Sequence, residues 1–94
     1  MDSFIKQPSE KFIISIDFTN VLDTATIASY TVVAYKESTI VTSTIIDTHS
    51  IDGNLILIKV KAGNDYGNYK ITTLITSCSN EIYEKDVMMK VNEE

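Results

Sequence analysis

Lys11-Phe12-Ile13-Ile14-Ser15-Ile16-Asp17-Phe18 is the stretch that decides the fold class. Phe12, Ile14, Ile16 and Phe18 fall on one side of an extended chain, and Lys11, Ile13, Ser15 and Asp17 fall on the other. That period of two predicts a strand with one face in a core. Just upstream, Pro8 cannot donate to a ladder, so Phe4 to Lys6 is expected to form no more than a short edge strand.

Downstream, Val21 and Leu22 pin a polar segment, Thr19 to Ala25. Thr26 to Tyr35 is too rich in β-branched and aromatic residues for a helix. Ile27, Val33 and Tyr35 on one face and Ala28, Tyr30, Val32 and Ala34 on the other suggest a central strand, with Tyr30 and Val32 inward. Thr39 to Ile46 alternates as a more exposed strand that Asp47 to Ser50 ends. Asp52-Gly53-Asn54 supplies a tight hairpin turn into the apolar run Leu55 to Lys61. Ala62-Gly63-Asn64-Asp65 is a second turn cluster, followed by a strand within Gly67 to Ser77 that carries Tyr69, Ile71, Thr73 and Ile75 on one face. After a turn at Ser77 to Asn80, the last strand, Glu81 to Val91, puts Tyr83, Val87, Met89 and Val91 on one face with Lys85, while Glu84, Asp86, Met88 and Lys90 face water.

About seven short strands with turn signals every ~8–12 residues and no helix predict an all-β, two-sheet antiparallel sandwich. Its common core is expected to hold Phe12, Ile14, Ile16, Ile56, Ile58, Val60, Tyr69, Ile71, Ile75, Val87 and Met89. Phe4 to Lys6 and Ile82 to Val91 are the expected sheet edges. Residues 1–94 form one domain, with an ordered core at about 4–91 and a frayed tail, Asn92 to Glu94.

Composition agrees with this reading. Fourteen Ile, seven Val and eleven Thr outnumber four Leu and four Ala, which is a strand vocabulary. Ninety-four residues leave no room for two full domains, and no run approaches the ~20 apolar residues of a membrane span. The polar start at Met1-Asp2 does not read as a signal peptide, so synthesis in the cytoplasm is expected. The net charge of −5, with eight Lys and no Arg, argues against nucleic acid as a partner. Cys78 is the single cysteine and excludes an internal disulfide.

Asp65-Tyr66-Gly67-Asn68-Tyr69-Lys70-Ile71 has the form D-x-G-x-Y-x-C of immunoglobulin-like domains, with Ile71 in place of the cysteine. It resembles their tyrosine corner, which implies a structural role for Asp65, Gly67 and Tyr69: the Tyr69 ring buried and its hydroxyl bonded to upstream backbone. The chain has no Trp, and Ile14 or Ile16 would face Ile71 where antibody domains place a disulfide. Over nearly its full length the chain also resembles the small immunoglobulin-like virion proteins of tailed phages known as fibre-tail adaptors. The matching residues are Lys6-Gln7-Pro8-Ser9-Glu10, Ile16-Asp17-Phe18, Ile27-Ala28-Ser29 and Thr31-Val32. Further on come Ile56, Ile58 and Val60 with Ala62-Gly63 ahead of Tyr69, then Val87, Met89 and Val91 after Ser79-Asn80. Asn80-Glu81 where Gly-Arg is expected, Ala62 in place of Gly, and the missing Trp of the third strand depart from that pattern.

Residues with chemical potential are few. His49 and Cys78 are alone of their types, which leaves no His cluster or Cys pair for zinc. Asp47, His49 and Asp52 share one segment but lack EF-hand spacing. Cys78 lies in a Ser-rich turn without neighbouring cations to activate it as a nucleophile with His49 as base. Carboxylate pairs such as Glu81 with Glu84 read as charges that protect strand edges. Gly53, Gly63 and Gly67 are dispersed in turns and make no phosphate loop. Sugar binding would have to rely on Tyr30, Tyr35, Tyr66 and Tyr83 as stacking platforms.

The expectation is therefore a non-catalytic protein without cofactor. The resemblance implies a structural part of a phage or prophage particle at the tail or fibre attachment, made in the host cytoplasm and located in the virion. Its partner would be a tail or fibre subunit, with no membrane or nucleic acid involved, and its edge strands would also permit self-association. The alternative is a bacterial immunoglobulin-like module of a surface or secreted binding protein.

Overall fold

In the computed structural model, which describes residues 2–7, 9–22, 24–61 and 67–91, strands fill most of the chain. They are β1 (Asp2–Lys6), β2 (Phe12–Asp17), β3 (Ile27–Lys36), β4 (Thr39–Ile40), β5 (Ile46–Asp52), β6 (Leu55–Val60), β7 (Asn68–Ser77) and β8 (Ile82–Val91). Two single helical turns, α1 (Thr19–Leu22) and α2 (Thr42–Ile45), lie between them. One sheet has five strands in the order β1-β8-β7-β3-β4, and the other has three in the order β2-β6-β5.

The fold is all-β and two-sheeted, as the alternation predicts, but it differs in three respects. There are eight described strands rather than about seven, and α1 and α2 interrupt a chain expected to have no helix. The larger sheet is mixed, because β1 runs parallel to β8 while every other pairing is antiparallel.

Both helical turns occur where the chain leaves one sheet for the other. Thr39 to Ile46 cannot remain one strand, because an extended chain would place Ile45 and Ile46 on opposite faces. The turn of α2 lets both enter the core, at 0% and 6% exposure. It is held by the Val41 N–H donating to the Ala34 carbonyl at 2.8 Å and the Ala34 N–H donating to Thr42 Oγ1 at 3.0 Å. Asp47 to Ser50, expected to end a strand, instead lies within β5. In α1, the Leu22 N–H donates to the Phe18 carbonyl at 3.0 Å, and both side chains are buried.

Two strands show how the alternation is used. Along β7, Tyr69, Ile71, Thr73, Ile75 and Ser77 are all buried. On β6, Ile56, Ile58 and Val60 face the same interior, opposite Ile16, Ile14 and Phe12 of β2. Of the expected core only Phe12 and Ile14 are half-buried, packed against it. Val32 is buried and Tyr30 packs on the core, as expected for β3. The Asp52-Gly53-Asn54 hairpin forms between β5 and β6, with Gly53 at φ 61°. At the turn before β8, Asn80 takes φ 67°, a conformation that Asn tolerates better than most residues.

Candidate functional site

The register of β1 against β8 creates the feature that stands out. Asp2 lies opposite Val87 and Lys6 opposite Val91, so β1 covers only the second half of β8. Among the described residues, no strand pairs with Ile82–Asp86 on that side. The expectation that all of Ile82 to Val91 forms an edge is therefore corrected: Val87–Val91 is internal, between β1 and β7, and Ile82–Asp86 is open among the described residues.

Hydrogen bonds at the strand ends give the direction of the backbone groups. The Glu81 carbonyl accepts from Ser77 N–H, and the Val91 N–H donates to the Gly67 carbonyl, both at 2.8 Å. In an antiparallel pair a residue turns its N–H and C=O to the same side, so odd-numbered residues of β8 address β7. Even-numbered residues address the other side, where Met88 and Lys90 meet β1 and Ile82 and Glu84 meet no described strand. The same reasoning holds for β2, an edge of the smaller sheet. The Phe18 N–H donates to the Asn54 carbonyl at 3.0 Å, so Ile13, Ser15 and Asp17 turn their backbone groups outward.

A notch of about 560 Å³ lies between these two open edges. Phe4, Ile14, Ile16 and Val87 give it an apolar floor, and Ser3, Ser15, Asp17, Lys85 and Asp86 complete its lining. Phe4 meets Phe12 edge to face, with ring centroids 5.9 Å apart. Lys85 crosses from β8 to donate its Nζ to the Asp17 carbonyl, and its ammonium lies 5.4 Å from the centre of the Phe18 ring. Its methylenes therefore serve as apolar wall while its charge occupies an open carbonyl of β2.

The carboxylates there differ. Asp17 Oδ1 accepts from the Thr19 hydroxyl at 2.6 Å and from the Thr19 N–H at 2.8 Å. These bonds, the hydroxyl first, hold its carboxyl below the ordinary value. Asp86 Oδ1 is buried without a hydrogen-bond partner, and so is Thr72 Oγ1, opposite it on β7. Glu84 is exposed.

The residues singled out from sequence are dispersed. Gly67 is buried and Tyr69 is 2% exposed, opposite Met89, with the Lys36 ammonium 5.7 Å from its ring centre. Asp65 and Tyr66 lie outside the described residues. Asp47 forms an ion pair with Lys11 at 3.6 Å. His49 instead meets Tyr30 across the sandwich, Nδ1 to hydroxyl at 2.9 Å. Cys78 is exposed, and hydrogen bonds with the Thr26 backbone and then its side chain lower its thiol's pKa, a shift unforeseen without knowing that Thr26 is its neighbour.

Lys6 is fully buried although the sequence places it on an edge strand. Its ammonium donates to the Gln7 carbonyl at 2.7 Å; burial pushes its pKa down and Glu10 opposes the shift. The notch depends on how far β1 reaches along β8, which no local pattern in the sequence encodes. No helix among the described residues is long and apolar enough to cross a membrane. No family model matches the chain, and no curated protein matches it.

Proposed function

We propose that the chain is an immunoglobulin-like sandwich acting as a non-catalytic interaction protein of a phage or prophage particle, at the tail or fibre attachment. The sheet order supports the immunoglobulin reading. With β2 as strand B, β3 as C, β4 as C′, β5 as D, β6 as E, β7 as F and β8 as G, the two sheets divide as G-F-C-C′ and B-E-D, and β1 is added beside G. The resemblance to fibre-tail adaptors supports the phage assignment.

The observation that carries an interaction role is the pair of open backbone edges flanking an apolar notch, since unpaired ladder groups are a template for another chain. Partner and copy meet it through the same groups, so a tail or fibre subunit is the expected ligand and self-association is the competing use.

The test is to tag the chain in the strain that carries its gene, induce the prophage, and purify particles on a density gradient. The protein is expected to band with intact particles after synthesis in the host cytoplasm. Recovery from the cell surface, with none in particles, would replace this reading with the bacterial surface module.

A further inference from the structure

We infer that the notch receives an extended segment of the partner protein, alternating apolar and basic residues, as an added strand on Ile82–Asp86. This deepens the interaction reading above by giving the partner's chemistry. The edge offers five residues at ~3.3 Å each, room for a short strand in line with β1. Ile82 and Glu84 supply backbone donors and acceptors, which bind any sequence. The side chains supply the choice, as in other cases of strand addition.

Alternate residues of an added strand face opposite ways. Those turned inward enter the notch over Phe4, Ile14, Ile16 and Val87, where an apolar side chain is favoured. Those turned outward lie beside Ile82, Glu84 and Asp86, the outward row of β8. Two of those three are carboxylates, Asp17 adds a third at the rim, and the whole chain carries −5. Lys85, the one lysine in the lining of the notch, already donates its ammonium to the Asp17 carbonyl. Charge complementarity therefore selects Lys or Arg at the outward positions, since cross-strand opposite charges stabilise a pair and like charges destabilise it.

The experiment uses the full chain and a terminally blocked heptapeptide alternating Lys and Val, with Lys/Ser and Glu/Val heptapeptides as controls. Amide exchange is followed by NMR. At saturation with the Lys/Val peptide, exchange of the Ile82 and Glu84 amides should slow at least ~tenfold, with Met88 and Lys90, already beneath β1, unchanged.

Glu84→Pro removes one of the outward-facing donors while leaving the β7 side intact, and proline is tolerated where a strand's N–H faces solvent. Glu84→Lys reverses an exposed charge and keeps the backbone. Each should weaken peptide binding at least ~tenfold, and the lysine variant keeps the test valid should the proline variant fail to fold.

Unchanged exchange at Ile82 and Glu84, equal binding by either control peptide, or undiminished binding by Glu84→Lys would overturn the inference. So would a dimer that protects the two amides without peptide, which would assign the edge to a second copy. Particles that incorporate Glu84→Pro and Glu84→Lys as well as wild type would remove this inference and leave the particle reading. Peptide binding as expected, with wild type absent from particles, would remove the particle reading and leave the notch.

Discussion

The two halves of β8 share one partner and one alternation, yet their surroundings are opposite. From Val87 to Val91, the inward residues Val87, Met89 and Val91 are all buried, and β1 and β7 flank the backbone on both sides. From Ile82 to Asp86, the inward residues Tyr83 and Lys85 are only half-buried, Ile82 is 63% exposed, and β7 is the flanking strand. Alternation tells which face a residue occupies. How deeply that face is buried depends on whether β1 lies alongside and whether the smaller sheet reaches over it.

The largest expected effect tests that contrast in the core. Met89→Ala should destabilise the protein by about 2–5 kcal/mol, the range for emptying a filled core site, whereas Ile82→Ala should stay within about 0.5 kcal/mol. Equal losses in chemical denaturation would mean that Ile82 is packed as fully as Met89.

Backbone substitution comes next. Met88→Pro removes a ladder bond to β1 and strands its acceptor, at about 1–3 kcal/mol, while Glu84→Pro on the open half should cost no more than about 0.5 kcal/mol. A Glu84→Pro loss as large as that of Met88→Pro would show that the open edge is covered in solution.

Two tyrosines extend the comparison. Tyr69, buried opposite Met89, should lose about 1–2 kcal/mol as Tyr69→Phe if its hydroxyl makes the corner bond. Tyr83→Phe in the open half should lose less, and matching melting shifts would leave Tyr69 as an ordinary core aromatic.

The smallest effect is at the rim of the notch. The Thr19 bonds hold Asp17 below its ordinary carboxylate value in the folded state. Its stabilisation is thus present above the unfolded value of ~3.9 and is lost as pH falls through the lower folded value. Urea midpoints between about pH 2 and 5 should therefore fall less steeply on acidification in Asp17→Asn than in wild type. Parallel pH profiles would show that Asp17 makes no such contribution.

Much of the architecture was legible because strand faces follow from a local period. Phe12 to Phe18, Leu55 to Val60 and Tyr69 to Ser77 each carry their own record of what is inside, and the Gly53 turn carries the chemistry its φ requires. The site was less legible. Sequence indicated that edges would matter and placed one at Phe4 to Lys6, but it extended the other over the whole of β8. Lys85 could be placed among inward residues, yet nothing local to it points to the Asp17 carbonyl, 68 positions away.

The sequence by itself determined an all-β chain whose alternate residues separate a core from solvent, because that depends only on side-chain type and the two-residue repeat of an extended backbone. Only the tertiary structure decided that β1 pairs in parallel with half of β8, that Ile45 and Ile46 both enter the core through a helical turn, and that two open edges enclose a notch. The physical reason is that a pairing's register and a strand's coverage are set by contacts between segments far apart in the chain, and backbone hydrogen-bonding groups are the same in every residue that must choose between them.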